Sequence, residues 1–368
     1  MLSLAPSCGA PVTVRLRTGR HHGGQAIWRL HGRPAFALNP SIAIPLDCGV
    51  RRTGTGSFQP VMEENDMPIE FTIHPVPSEQ GSETSFFLDP EFYMPALREF
   101  ETLGISGLVV DNAGDALSNL DISATMGGAS GLNMIVTHGP GIVGPTVAAT
   151  QLARLDRTLG GRLALRVGAA SDSRLDHEAA CRRADEYLKL LMQLWSNQRP
   201  LDHEGEFYSV RTGFVPTKGP QGNAIPIRMQ GRTGTAIQVA ARHATIFELA
   251  PGSPDSVARQ VERVLAAATI YGRANAIRFS YPLLRGDLVK AVQSPGGTVA
   301  AKIALDLLAY VKAGVTEFMV MGLVSQPLLR LLTAEVALLL RNSMAHDPEI
   351  SSRVMTLGTE TCLSKQEG

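Results

Sequence analysis

From Met67 onward, short apolar segments alternate with longer segments in which apolar residues recur every three or four positions. The apolar segments are four to nine residues long, and most are continuous runs rather than alternating ones. Continuous apolar runs of this length are typical of parallel strands that are covered on both faces. The eight predicted strands span 69–74, 107–110, 133–138, 163–169, 225–231, 245–249, 276–284 and 317–322.

Most of the segments between these strands carry one apolar face, as amphipathic helices do. Pro95 interrupts the pattern of the first segment, and Gly104 is well placed to end it. The predicted helices span 89–103, 146–159, 176–196, 235–244, 255–271, 298–313 and 326–341. Eight strands alternating with helices over about 275 residues favour a closed (β/α)8 barrel, the TIM barrel fold.

An open, doubly wound α/β sheet is the alternative, because the order of strands cannot be deduced from one sequence. The chain has no GxGxxG sequence after its first predicted strand. This absence disfavours a dinucleotide-binding domain.

The N-terminal region differs from the rest of the chain and predicts a separate extension over 1–66. Up to Pro60 the positively charged residues are all arginine, there is no lysine, and Asp47 is the only acid. An organelle transit peptide would have this composition, but we favour an unstructured extension, since Met62 and Met67 directly precede the first predicted strand. The barrel domain is then expected over 67–345, followed by a C-terminal tail over 346–368.

Charge and cysteine content narrow the class of protein. Lys+Arg and Asp+Glu both number 34, so the composition disfavours a nucleic-acid partner or an anionic membrane surface. No apolar run approaches the roughly 18 residues that span a bilayer. The four scattered cysteines suit a reducing compartment, which predicts a cytoplasmic protein.

The tetrapeptide LDHE occurs twice, at 175–178 and 201–204, and His-Glu pairs are possible metal ligands. The first copy opens the predicted helix 176–196, with Asp176 as its cap. The second copy leads into GEFYSV, which predicts a hairpin. Because His177 and His203 lie on different elements and neither has a histidine at i+4, we expect no shared metal site.

The turn after the fifth predicted strand has the features of a phosphate site. Gly231, Arg232 and Thr233 join this strand to a helix, so that backbone N–H groups, a hydroxyl and a guanidinium occur together. The turn lacks the GK[ST] sequence of a nucleotide P-loop, which favours a phosphomonoester such as flavin mononucleotide (FMN) over ATP. A simple helix cap beside a solvated arginine is the alternative.

Other candidate residues lie at the predicted carboxyl ends of strands, where barrels bind their ligands. His138 ends the third strand, and a rim histidine of this kind is a possible catalytic residue. Tyr281 and Arg285 are an even number of residues apart, so both could face the barrel mouth from the seventh strand. His243 is expected to have a structural role in its helix.

Several stretches together resemble the bacterial luciferase-like flavin monooxygenases, nearest to the alkanesulfonate monooxygenase branch. The stretches occur in the family's order between Met67 and Arg341. They are LDRTLGGRLALRVGA, LDHEAACRRADEYLKLLMQLWS, PLDHEGEFYSV, GRTGTAIQVAARHATIFEL and YVKAGVTEFMVMG. The resemblance implies a TIM barrel that takes reduced FMN from a separate flavin reductase and uses O2 to oxidise a small organic substrate. It also implies a homodimer formed through helices near the second and third strands.

The resemblance also implies roles for individual residues. Gly231, Arg232 and Thr233 match the family's phosphate loop, and His177 matches the polar residue that opens the helix after the fourth strand. Residues that match the family's flavin-ring contacts are Thr137, His138 and Gly139 on the third strand and Ala169 and Ala170 on the fourth.

This chain departs from the sulfonate branch where that branch binds its substrate. The Arg-x-His pair of the seventh strand is matched by Phe279 and Tyr281, and the long lid insertion after this strand is shortened to about ten residues, 285–294. Tyr281 or Arg285 is then expected to orient the substrate, possible substrates being organosulfur or sulfonate compounds. Two alternatives stay open, a deazaflavin-dependent oxidoreductase and a lidless flavin-binding protein with little turnover.

Overall fold

Eight parallel strands close into a barrel in a computed structural model that describes residues 69–75, 86–87, 89–112, 118–168, 175–293 and 297–347. Around the barrel the strands follow the order β1-β10-β9-β8-β7-β4-β3-β2, and β2 pairs with β1 to close the ring. The barrel strands are β1 (Glu70–His74), β2 (Gly107–Val110), β3 (Asn133–His138), β4 (Leu163–Val167), β7 (Ile227–Gln230), β8 (Ile246–Glu248), β9 (Arg278–Leu284) and β10 (Val315–Met321). The structure confirms the predicted (β/α)8 barrel and excludes the open sheet.

Helices cover the outside of the barrel and connect its strands. Their bounds are α1 (Pro90–Thr102), α2 (Ser118–Gly128), α3 (Pro145–Thr158), α4 (His177–Ser196), α5 (Gly234–His243), α6 (Pro254–Ile270), α7 (Arg285–Gln293), α8 (Val299–Lys312), α9 (Gln326–Arg330) and α10 (Ala337–Ala345). A π-helical segment, Leu331–Val336, joins α9 to α10. Among the described residues, no helix is both long enough and apolar enough to cross a membrane.

The prediction was wrong for two helices. α2 was missed because its sequence, SNLDISATMGG, is rich in small and polar residues and lacks a continuous apolar face. The segment 285–294, interpreted as a connection, forms α7, which begins directly where β9 ends. The predicted extension 1–66 and almost all of the tail lie outside the described residues.

The two LDHE copies form different structures, as predicted. In the first copy the Asp176 side chain accepts a hydrogen bond from the Ala179 amide and caps α4. The second copy is itself a strand, β5 (Leu201–Glu204), which pairs antiparallel with β6 (Ser209–Gly213). Glu186 of α4 holds this hairpin through a 2.9 Å contact to His203 and through two backbone amides. No cluster of three or more potential metal ligands occurs among the described residues.

The barrel strands have one face toward the helices and one toward the barrel interior. The outward side chains, such as Phe71, Phe279 and Phe318, belong to the main apolar core beneath the helices. The inward face carries a small separate apolar cluster at Val109, Ile135, Ala164 and Met319. The remaining inward positions are largely polar or charged.

Candidate active site

A chain of alternating charges runs through the barrel interior. Glu317 accepts two hydrogen bonds from the guanidinium of Arg228, at 2.6 and 2.8 Å. Arg228 also contacts Glu248 at 3.0 Å, and Glu248 accepts from Arg166 at 2.9 Å. Arg166 then reaches Asp111 at 3.1 Å, beside the carboxyl end of β2. These five side chains, which we call the charge ladder, connect the barrel centre to its mouth.

The buried end of the charge ladder stays ionised because its members stabilise one another. Burial alone would lower the pKa of Arg228, but Glu317 and Glu248 raise it above its ordinary value. Burial alone would raise the pKa of Glu317, but Arg228 and the Ser280 hydroxyl lower it below its ordinary value. Removing either partner would leave an uncompensated charge in the core.

The sequence interpretation missed the charge ladder, although a signal was present. Arg166, Arg228, Glu248 and Glu317 each lie within a strand that otherwise reads as a buried apolar run. Charged side chains are rarely buried unless they are paired. Their presence in four different strands therefore indicated a paired network inside the barrel.

Two polar atoms at the barrel mouth have no hydrogen-bond partner among the described residues. They are Nδ1 of His74, the last residue of β1, and Oγ1 of Thr137 on β3. Nε2 of His74 lies 3.8 Å from Oδ2 of Asp111, and Thr137 pairs in register with Arg166. Burial, and then the charge of Arg166, lower the pKa of His74 to about 4, so its imidazole is neutral at pH 7. Buried polar groups without partners are uncommon, and at a barrel mouth they indicate ligand contacts.

The imidazole of His138 does not face the barrel mouth. It points outward, where its Nε2 lies 2.6 Å from the hydroxyl of Tyr187 on α4, and the residue is 1% exposed. Burial lowers the pKa of His138 to about 4, which makes it a neutral group packed between strand and helix. The sequence places this side chain at the rim; the structure instead encloses it, and only the backbone of His138 reaches the strand end.

Tyr281 and Arg285 do not share a strand, so the prediction that both face the mouth from β9 was wrong. Ser280 faces inward, bonded to Glu317, and the adjacent Tyr281 therefore faces outward. Its hydroxyl lies 3.1 Å from the Gly252 carbonyl oxygen, and its ring stacks on Tyr310 of α8. Arg285 is the first residue of α7 and is exposed.

The turn after β7 brings together residues from two helices. The Thr233 side chain caps α5 by accepting from the Ala236 amide, and its Oγ1 also lies 2.7 Å from Nε2 of His177, the first residue of α4. The amides of Gly234 and Thr235 have no acceptor among the described residues, as expected for the first turn of a helix. Two helix N-termini thus meet at one place, where helix dipoles favour an anion.

This turn fits a phosphate group. Arg232 is exposed and forms no ion pair with any described residue, so its guanidinium is available for a phosphate oxygen. Thr233 and His177 share a hydrogen bond, which leaves one further donor from this pair, and the two amides at the start of α5 supply two more. Gly139 is buried at the end of β3, whereas Ala169 and Ala170 lie outside the described residues.

Close packing fixes the shape of the turn at Gly231. A Cβ atom at Gly231 would lie 2.6 Å from the Cβ of Ala236. We therefore expect Gly231→Ala to lower the free energy of unfolding by about 1–3 kcal/mol, the usual effect of overpacking. Urea unfolding of Gly231→Ala, of Ala236→Gly and of the double variant measures this. If the losses of the two single variants simply add in the double variant, the contact is not the cause.

The C-terminal half of α5 is fixed to α4 by Asp185. Nε2 of His243 lies 2.8 Å from Oδ1 of Asp185, and Arg242 contacts the same carboxylate. Burial alone would raise the pKa of Asp185, but His243 and Arg242 lower it. His243 therefore positions the helix that carries the turn, in agreement with the structural role expected for it.

Known proteins that resemble this chain share its barrel architecture. Residues 89–284 match the family model described as luciferase-like monooxygenase. An FMNH2-dependent dimethylsulfone monooxygenase from Pseudomonas putida is 26% identical over 180 residues. That match takes in 46% of this chain and 49% of the relative, so the chain spans about half the length of the curated relative.

Solved structures with low sequence identity share the fold. A long-chain alkane monooxygenase superposes with a TM-score of 0.63 at 13% identity, covering 79% of this chain and 96% of the other. A coenzyme F420 dependent tetrahydromethanopterin reductase from Methanopyrus kandleri gives a TM-score of 0.58 at 15% identity, covering 73% and 99%. Since the family model matches more than half of the chain, this protein belongs to the luciferase-like monooxygenase family of flavin-dependent enzymes.

Proposed function

We propose that this protein is a two-component monooxygenase that takes reduced FMN from a flavin reductase and oxidises a small organic substrate with O2. The observation that carries the proposal is the meeting of His177 and Thr233, 56 residues apart in sequence, beside Arg232. The contact brings together hydrogen-bond donors from two helix N-termini at the turn 231–233, which we call the phosphate turn. It supports binding of a phosphorylated cofactor with its ring system toward the barrel mouth.

In this proposal the chain's residues divide into two groups. Arg232, Thr233 and His177 hold the phosphate at the side of the mouth. Thr137 and His74 supply polar contacts at the mouth itself, where their partnerless atoms lie. The reduced flavin, when bound, supplies the electrons that activate O2.

The relatives support an organosulfur substrate and a reductase partner. The similar protein from Pseudomonas putida is named an FMNH2-dependent dimethylsulfone monooxygenase. An enzyme that uses reduced FMN without reducing the flavin itself needs a separate reductase to regenerate it. The proposal also includes a cytoplasmic homodimer. Ile142, between β3 and α3, and Val147, in the first turn of α3, are 40% and 53% exposed, which suits a subunit contact near β3.

Arg232→Ala tests the phosphate turn. We expect this change to weaken FMN binding by about 1–3 kcal/mol, the effect of losing a charged hydrogen bond. Fluorescence titration with FMN measures the change. Arg259→Ala, which removes another exposed guanidinium from α6, is the control and should leave the affinity unchanged. Equal affinity of wild type and Arg232→Ala would refute the assignment.

The likeness to the coenzyme F420 dependent reductase makes deazaflavin-dependent hydride transfer the second candidate function. In addition, β9 leads directly into α7, so the family's long lid insertion after this strand is missing. Substrate-dependent O2 uptake with FMN and a flavin reductase supports the monooxygenase. Turnover only with the deazaflavin supports the reductase, and FMN binding without turnover identifies a flavin-binding protein.

A further inference from the structure

The charged residues at the barrel mouth disfavour the binding of an anionic substrate. Both arginines of the charge ladder are already paired: Arg228 with Glu317 and Glu248, and Arg166 with Glu248 and Asp111. Three carboxylates therefore face two guanidinium groups. The network therefore has one carboxylate in excess. Of the three, Asp111 lies nearest to solvent, and its side chain is 31% exposed.

The connections at the same end of the barrel reinforce this charge. Among the described residues of the segments that link each barrel strand to the following helix, three are acidic, Asp89, Asp111 and Asp176, and one is basic, Arg232. Arg232 is assigned to the cofactor phosphate, so it does not offset this negative charge.

The neutral His74 gives the site a direction for hydrogen bonding. Its Nε2 lies 3.8 Å from Oδ2 of Asp111, beyond hydrogen-bond distance, and the negative charge there favours the tautomer with the ring proton on Nε2. Nδ1 then carries a lone pair, is buried, and has no partner among the described residues. A lone pair in this position favours a ligand that donates an N–H or O–H group.

We propose that the mouth layer, which comprises His74, Asp111, Thr137 and Arg166, binds a neutral or cationic organic substrate that donates a hydrogen bond to His74, and that it rejects anions such as sulfonates. The inference rests on the proposed function, since it names the substrate class of that site. The Thr137 hydroxyl, also without a partner among the described residues, is the second contact for the bound molecule.

Three small molecules of nearly the same shape test this inference. Methanesulfonate is an anion without donors, dimethyl sulfone is neutral without N–H donors, and methanesulfonamide is neutral with an N–H donor. We expect the FMN-loaded full chain to bind methanesulfonamide at least tenfold more tightly than methanesulfonate, with dimethyl sulfone between them. Ligand-observed NMR titration gives the three dissociation constants.

Two variants assign the discrimination to residues. Asp111→Asn should reduce the difference in affinity between methanesulfonamide and methanesulfonate. Asp306→Asn, the same change on an exposed part of α8, should leave this difference unchanged. His74→Phe should remove the advantage of methanesulfonamide over dimethyl sulfone. Thermal unfolding of each variant shows whether it is folded. If a variant does not fold, the order of the three dissociation constants in the wild type decides the inference.

The inference is overturned if methanesulfonate binds as tightly as methanesulfonamide, or if none of the three molecules binds. The titrations are repeated without FMN to separate this result from the proposed function. If FMN does not bind but the expected order persists, the proposed function fails and the inference stands. If FMN binds and the order is reversed, only the inference fails.

Discussion

Arg228→Met is expected to lower the free energy of unfolding by about 3–5 kcal/mol, the usual cost of breaking a buried ion pair from one side. Arg228 is 1% exposed and is the partner of both Glu317 and Glu248. After the substitution, Glu248 still has Arg166, but Glu317 keeps, as hydrogen-bond partners within the described part of the chain, the hydroxyls of Thr72 and Ser280. An isolated carboxylate in a barrel core is strongly destabilising.

A second substitution separates lost charge from lost packing. Glu317→Gln removes the uncompensated charge and keeps an oxygen for the two hydroxyls, so the double variant should recover part of the lost stability. Arg259→Met, on the exposed side of α6, is the control and should change stability by less than about 0.5 kcal/mol. Urea unfolding at pH 7 measures all four proteins. A double variant less stable than Arg228→Met would contradict the charge ladder.

Stability is also expected to fall steeply as pH decreases from 6.5 to 4. His74 and His138 have folded-state pKa values of about 4, against 6.5 for an ordinary histidine. Above pH 6.5 both states are neutral and the stability is complete. Between 6.5 and 4 the unfolded chain takes up protons that the folded chain cannot, so stability is lost as pH falls. The loss is about 3 kcal/mol for each histidine.

Replacing one of the two histidines tests this assignment. His138→Gln retains a partner for the Tyr187 hydroxyl but cannot be protonated. Over pH 5–6 it should reduce the slope of unfolding free energy against pH by about 1.4 kcal/mol per unit, the contribution of one proton. His346→Gln, at an exposed histidine after α10, should leave the slope unchanged. Equal slopes for wild type and His138→Gln would show that this histidine does not carry the effect.

The strand pattern of the barrel could be predicted from the sequence because each strand is buried on both faces. The bounds of β2 and β3 agree with the prediction residue for residue, since continuous apolar runs leave little ambiguity. The turn between β7 and α5 was also predicted, because a glycine, an arginine and a threonine between a strand and a helix are local features, and its phosphate-binding role stays a prediction. A local pattern is sufficient where neighbours in sequence form the structure.

The mouth of the barrel could not be predicted in this way, because its contacts join distant strands. Arg166 and Glu248 are 82 residues apart, and Arg228 and Glu317 are 89 apart, so no spacing rule links them. The sequence also did not show which way a side chain at the end of a strand points. A shift of one residue in the assumed face places Tyr281 in the mouth, whereas its neighbour Ser280 in fact points inward.

The central claim is that the turn after β7 binds the phosphate of a flavin. The most direct test compares reduced FMN with reduced riboflavin, which lacks only that phosphate, by anaerobic quenching of the protein's fluorescence. The phosphate turn predicts that FMN binds at least tenfold more tightly, since two or more charged hydrogen bonds contribute about 1.5–3 kcal/mol each. Equal affinities for the two flavins would contradict it.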